Sequence, residues 1–343
     1  MKVPMLFRKI AILLLCLAAG SAAFAASSCD AILGRKKINI VVPFKAGGGY
    51  DSYARMLAPL LQEATGARVA VSNLSGANGV SGMKAIASAP PESITLGVFD
   101  LRDLLAARIT DPSLPSTGDF VALGSFGATV GVWAARSDSG PLLDGQEPLA
   151  IGVSTGVLAR ILLPAKLLGK EVKLVRGYLG LSERWLALLR GDVDVTDGSI
   201  DSISRFISTS PGTRAVLILA DAPSAEFPAT PYLGGPGGLV DLRTRKLDAA
   251  TRRETMELAS LAVELSMSTR TVTIARTAPI PVRACMETAV EQVLFGPALR
   301  EVAMQQKLPV QPLRGEKVRE QLAGVESAMT RNQLLLKRLA AAP

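Results

Sequence analysis

Histidine is absent from all 343 residues. That removes the commonest general base, the imidazole ligands of zinc and every Ser-His or Cys-His dyad. Cysteine is scarce: Cys16, Cys29 and Cys285 are too few and too far apart for a structural zinc site. No serine stands in a G-x-S-x-G elbow, and no S-x-x-K has the partner motifs of a penicillin-binding enzyme. Aromatic residues are only 4%, and no run of Lys and Arg is interleaved with them, which argues against nucleic acid as a partner. Beyond the first twenty or so residues no uninterrupted apolar run approaches the ~18 residues of a membrane span. Internal repeats are missing too.

What is present begins with an export signal. Lys2, Arg8 and Lys9 form a basic start, Ile10 to Ala19 an apolar stretch too short to cross a bilayer, and Ala23-Phe24-Ala25 a small-residue cleavage site. Residues 1–25 are therefore expected to be removed on export. The formal charge of the chain then falls from +8 to +5, with 35 basic residues against 30 acidic. Export leaves Cys29 and Cys285 where disulfides are permitted, and their pairing would tie the mature N-terminus to a C-terminal helix. Two free thiols are the alternative.

The remaining composition, 48% apolar and rich in glycine, fits an α/β chain. Lys37 to Phe44 is nearly apolar throughout, the pattern of a strand buried on both faces. Gly47-Gly48-Gly49 interrupts it, and Asp51 or Ser52 is placed to cap a helix. In that helix Tyr53, Met56, Leu57, Leu60, Leu61 and Ala64 form one apolar stripe. Pro59 should kink the helix and Gly66 end it. Val69 to Ser72 is a second strand, followed by Asn73, Ser75, Gly76, Asn78 and Gly79 and a helix from about Val80. Ile94 to Phe99 is a third strand, so parallel βαβ units are expected.

Further along, Phe120 to Ala135 reads as extended segments crossing into a second domain, and Ala150 to Val153 as a strand ending at the polar turn Ser154-Thr155-Gly156. Val157 to Leu168 is helical despite Pro164. A strand from Val193 ends at Asp197-Gly198-Ser199. Ala215 to Leu219 reads as a strand returning to the first domain, and a single amphipathic helix is expected from about Glu316 to Ala340.

Two glycine loops after neighbouring strands, each opening a helix, would bring free N–H groups and the positive ends of two helix dipoles to one place. That suits a small anion. Neither loop is a nucleotide motif: the first lacks the G-K-[ST] ending of a P-loop and the second the G-x-G opening of a Rossmann fingerprint. No cofactor and no metal are expected. Asp51 reads as a cap and Asp194 as a strand residue, so no catalytic constellation stands out, and an enzyme on this scaffold is the remote alternative.

The run Val42-Pro43-Phe44 with Gly47-Gly48-Gly49-Tyr50-Asp51, then Ala54-Arg55, Asn73 to Gly79 and Ala87-Ser88-Ala89-Pro90-Pro91, resembles the Bug/TctC family. These are periplasmic solute receptors of tripartite tricarboxylate transporters. The resemblance implies an α/β, two-lobed type II periplasmic-binding-protein fold, each lobe a mostly parallel sheet flanked by helices. Lobe 1 would comprise 26–127 and 223–343, and lobe 2 residues 128–222, with hinges near 128–135 and 219–222. It implies a carboxylate gripped by Ala46, Gly47, Gly48, Gly49, Tyr50, Asp51 and Ser52 with Asn73, Ser75, Gly76, Ala77, Asn78 and Gly79. Ser154, Thr155, Gly156, Asp197, Gly198 and Ser199 would be the contacts from lobe 2.

Arg160, Arg176 and Arg184 could add a positive contact, although solvated surface is the plainer reading of each. The implied partners are a small carboxylate ligand and integral-membrane permease subunits, with a sensor-kinase ectodomain as the alternative to the permease. The chain itself is expected to be a monomer.

Overall fold

The computed structural model describes residues 29–76, 79–109, 111–153, 157–178 and 180–341. The expected signal segment, residues 1–25, lies outside them.

The chain opens with β1 (Lys37–Val42), α1 (Gly49–Thr65), β2 (Arg68–Asn73), α2 (Val80–Ala87), β3 (Ile94–Phe99) and α3 (Leu101–Ala107). As the apolar run of β1 requires, Ile38, Ile40 and Val42 face one core while Val41 faces another. The expected stripe buries Tyr53, Met56, Leu57 and Leu61 of α1 against that first core. Pro59 does not break α1: it sits on an exposed position, and the helix runs on to Gly66, whose φ of +63° closes it. Both neighbours of β1, β2 and β3, are parallel to it.

The chain then crosses. β4 (Phe120–Thr129) belongs to the first sheet and β5 (Gly131–Arg136) to the second, with only Val130 between them. The second sheet continues with β6 (Leu149–Gly152), a wide π turn at Leu158–Leu162, α4 (Leu163–Leu167), β7 (Val172–Val175), α5 (Leu181–Arg190), β8 (Val195–Ser199), α6 (Ile200–Thr209) and β9 (Thr213–Leu219). The π turn has a local cause. Pro164 has no N–H and would clash with the carbonyl four residues back, which is that of Arg160. The freed carbonyl instead accepts the indole N–H of Trp133 at 2.7 Å.

The last third holds α7 (Leu239–Thr244), α8 (Ala249–Ser266), β10 (Ser268–Ala275), α9 (Ile280–Phe295), α10 (Pro297–Gln305), β11 (Leu313–Arg314), α11 (Gly315–Arg331) and α12 (Gln333–Ala340). The first sheet has the order β11-β4-β10-β3-β1-β2 and the second β7-β6-β8-β5-β9. Both are mixed: the strands that lead into the glycine loops are parallel, while β10, β5 and β9 run antiparallel to their neighbours.

Two expectations are corrected here. β9 pairs with β5 and stays in the second sheet, so it does not return to the first. Val240 of α7 and Ala259, Leu261, Ala262 and Leu265 of α8 also share the second sheet's core. The return crossing therefore falls at Met267, between α8 and β10, and not at 219–222. The single C-terminal helix is in fact two, parted at Asn332.

Cys29 and Cys285 are joined in a disulfide, Cα to Cα 5.4 Å, which fastens the segment before β1 to α9. Gly82 of α2 shows how closely that helix lies over the two loops. A Cβ there would stand 2.7 Å from both the carbonyl oxygen of Leu74 and the Cα of Pro43. Gly82→Ala is expected to lower stability by about 1–3 kcal/mol despite alanine's better helix propensity. A wild-type denaturation midpoint for this variant would disprove the close approach.

Candidate functional site

The C-terminal ends of β2, β1 and β3 lie side by side, and each is followed by a loop and a helix start. The loops after β1 and β2 meet in a cleft of about 570 Å³ between the two sheets. Ala46, Gly47, Gly48, Gly49, Tyr50, Ser75, Gly76 and Gly79 line its first wall. Gly198, Ser199 and residues of α5 and α6 line the opposite one. The gap is narrow: a Cβ on Gly49 would stand 3.8 Å from the Ser202 hydroxyl of α6. Gly47 and Gly79 take φ values of +82° and +92°, which L side chains rarely adopt. At Gly79 a Cβ would in addition meet the Phe44 ring at 2.9 Å.

The amides are available for an anion. The first intrahelical bond of α1 is from the Ser52 N–H to the Gly48 carbonyl, 3.0 Å, so the N–H groups of Gly49, Tyr50 and Asp51 precede the ladder. Asp51 does not cap the helix. It sits within the first turn with its carboxylate buried, accepting from the Gly47 N–H (2.8 Å), Arg55 (2.9 Å) and the Asn73 amide (3.0 Å). Asn73 also donates to the Phe44 carbonyl at 3.0 Å and accepts from Arg55 at 3.0 Å. Burial alone would raise the Asp51 carboxyl, but the hydrogen bonds from Arg55, Gly47 and Asn73 outweigh it and hold it below the usual range. Asp51 and Asn73 thus knit the two loops together from behind. Ser52 bonds the Gly48 carbonyl at 3.2 Å. None of these three lines the cleft.

The second wall differs more from expectation. Asp197 is buried behind the cleft, ion-paired with Arg184 and 3.9 Å from Arg160. Ala77, Asn78, Ser154, Thr155 and Gly156 lie outside the described residues. Arg160 and Arg184 are not solvated surface: they are 8% and 6% exposed and line the cleft. Arg176 is exposed and stands away from it.

Sequence reasoning missed Asp103, Arg205, Ser268 and Arg270, all of which line the cleft. Arg270, 3% exposed on β10, grips Asp201 of α6 with contacts of 2.8 and 2.7 Å and lies 4.4 Å over the Tyr53 ring. Asp103 ion-pairs with Arg160, which also donates to the Ser268 hydroxyl at 3.0 Å. At the other side of the cleft Lys45 meets Glu183 at 2.9 Å. The signal for Arg160 was in the sequence, as a lone charge in the apolar run Leu158 to Leu163. Isolated charges in such runs are buried only when paired. Among the described residues no group of acids and thiols is placed to hold a metal ion.

Two mixed sheets flanked by helices, joined through β4–β5 and α8–β10 with a cleft between them, give the chain a two-lobed α/β fold. No family model matches the chain. It is 30% identical over 216 residues to protein BugT of Bordetella pertussis strain Tohama I, a stretch covering 59% of this chain and 66% of BugT. The periplasmic binding protein BugD superposes with a TM-score of 0.64 at 20% identity, over 89% of this chain and 97% of BugD. R. palustris Rpa4515, solved with adipate, gives 0.66 at 20% identity, over the same shares of the two chains. The chain belongs to the Bug/TctC family of solute-binding proteins.

Proposed function

We propose that this chain captures a small carboxylate-bearing metabolite between its lobes in the periplasm and delivers it to a tripartite tricarboxylate-type membrane transporter. The observation that carries the reading is the meeting of two glycine loops, each opening a helix, on one wall of a closed-in cleft. Orphan amides and two helix dipoles there favour an anion without supplying a nucleophile. Arg205, which lines the far wall, adds positive potential. The adipate in R. palustris Rpa4515 supports a carboxylate as the anion. The basic start, short apolar stretch and Ala23-Phe24-Ala25 site support export. Binding, release and no turnover are the expected activity.

Titration calorimetry across a panel of di- and tricarboxylates tests the reading, with at least one member expected to bind and to raise the melting temperature. Gly48→Val combined with Gly76→Val is expected to weaken that ligand at least tenfold. In the free protein a Cβ at Gly48 meets nothing closer than 3.5 Å, while one at Gly76 lies 2.8 Å from the Ser81 hydroxyl, which must turn aside. The two valine side chains fill the space the anion needs. Wild-type affinity in this double variant would remove the loops from the site.

A further inference from the structure

Among the described residues, five buried side-chain polar atoms find no hydrogen-bond partner, and four of them belong to residues lining the cleft. These four are Tyr50 Oη, Asp103 Oδ1, Arg160 Nε and Arg184 Nε. Buried donors and acceptors are otherwise almost always satisfied, so their concentration here marks a place built to receive a polar group. Three of the four belong to Tyr50, Asp103 and Arg160, which line the cleft together and form its floor. Asp103 and Arg160 form one ion pair, 5% and 8% exposed, and both act on the Tyr50 phenol. Burial, reinforced by the charges of Asp100 and Asp103, pushes that phenol well above its ordinary value, so it is a neutral donor at neutral pH.

The charges on the floor cancel. Asp103, Arg160, Asp197 and Arg184 alternate in sign along one chain of ion pairs. Arg270 is taken up by Asp201 at 2.7 Å. A carboxylate placed here would find donors in Arg160 Nε and Tyr50 but would lie against the free oxygen of Asp103, a like charge. An ammonium group would satisfy Asp103 and face Arg160. A hydroxyl or a primary carboxamide does both jobs at once. It donates to Asp103 Oδ1 and accepts from Arg160 or Tyr50, with no charge of its own to desolvate.

We infer that the floor of the cleft receives a neutral hydroxyl or carboxamide, so that the ligand is a hydroxy- or carbamoyl-carboxylate and not a plain dicarboxylate. The inference rests on the carboxylate-capture reading: the carboxylate lies on the glycine loops, and the neutral end on Asp103, Arg160 and Tyr50. Sites that hydrogen-bond a polar group discriminate strongly against analogues that leave those partners unmet.

Calorimetric titrations at pH 7.5 with matched straight-chain ligands of four to seven carbons test it: each dicarboxylate, its monoamide and the ω-hydroxy acid of the same length. At the best-fitting length the monoamide or hydroxy acid is expected to bind at least tenfold more tightly than the dicarboxylate. Tyr50→Phe, which removes one oxygen and leaves the ion pair alone, is expected to weaken that neutral-ended ligand three- to tenfold and to change the dicarboxylate less than twofold. Asp103→Asn is expected to move the preference toward the dicarboxylate. Thermal melts show whether each variant folds, and Y50F keeps the test decisive if D103N does not. A dicarboxylate that binds as tightly as its monoamide overturns this inference and leaves carboxylate capture standing. Silence from every ligand overturns both.

Discussion

Replacing both bridged cysteines, as C29S/C285S, is expected to cost roughly 3–5 kcal/mol of stability. The bridge closes a loop with a sequence separation of 256 residues, which spans both crossings between the sheets. In the chain-entropy account the constraint a disulfide places on the unfolded chain grows with the logarithm of the loop, and so long a loop approaches the upper end of the range. Residual structure in the unfolded state takes some of that back. The folded side contributes too: Leu33, in the short segment behind Cys29, is buried in the core between α1, α9 and the first sheet. Guanidinium unfolding of oxidised and reduced protein measures the difference directly. Equal midpoints would show that the bridge leaves the unfolded ensemble as it was.

Arg160→Ala is expected to be about as damaging, at roughly 3–5 kcal/mol, because it strips the cation from between two buried carboxylates, Asp103 and Asp197. This loss should carry a pH signature. Burial is the largest influence on Asp103 and lifts its carboxyl to about 6, against the opposing pull of Arg160. An unfolded aspartate titrates near ~3.9. Between those values the folded chain holds the proton more tightly than the unfolded one, so the buried charge burdens the fold above pH 6 and the burden lifts as pH falls toward 4. Removing Arg160 deletes the lowering influence, while Asp100 and Asp197 continue to raise the group. The deficit of the variant against wild type is therefore expected to be greatest near pH 8 and to shrink toward pH 5. A deficit that stayed constant over that range would mean that the lost packing, and not the charge, sets the cost.

Most of what positions the first wall was legible in the residues. The apolar run of β1, the stripe on α1 and the closing Gly66 are local patterns, and local geometry decides them. Asp51 was misread because a carboxylate at the start of a helix can cap it or reach back to the loop. Only the position of Asn73, brought alongside by β2, selects between the two. The fate of β9 was beyond local reading as well: Ala215 to Leu219 fits either sheet, and its partner is chosen by long-range packing with β5. Arg160 stands alone in an apolar run that announces a buried charge, whereas Arg270 is flanked by Thr269 and Thr271, which announce nothing. Their partners Asp103 and Asp201 lie 57 and 69 residues away in the chain, a pairing no spacing rule supplies.

The C-terminal helices join the two halves a third time. α11 packs on β4 of the first sheet, while its Val325 and Met329, with Leu336 of α12, enter the core of the second. Arg102 beside it reaches both the Glu264 carbonyl and Gln321 at 3.2 Å, and Thr117 meets Glu326 at 2.7 Å. Two rigid bodies joined at neighbouring points swing freely about the line through them. A third attachment along a stiff rod leaves only the swings that the rod can follow. The tail is thus a strut across the two halves, and any closing of one on the other would have to bend it or follow it.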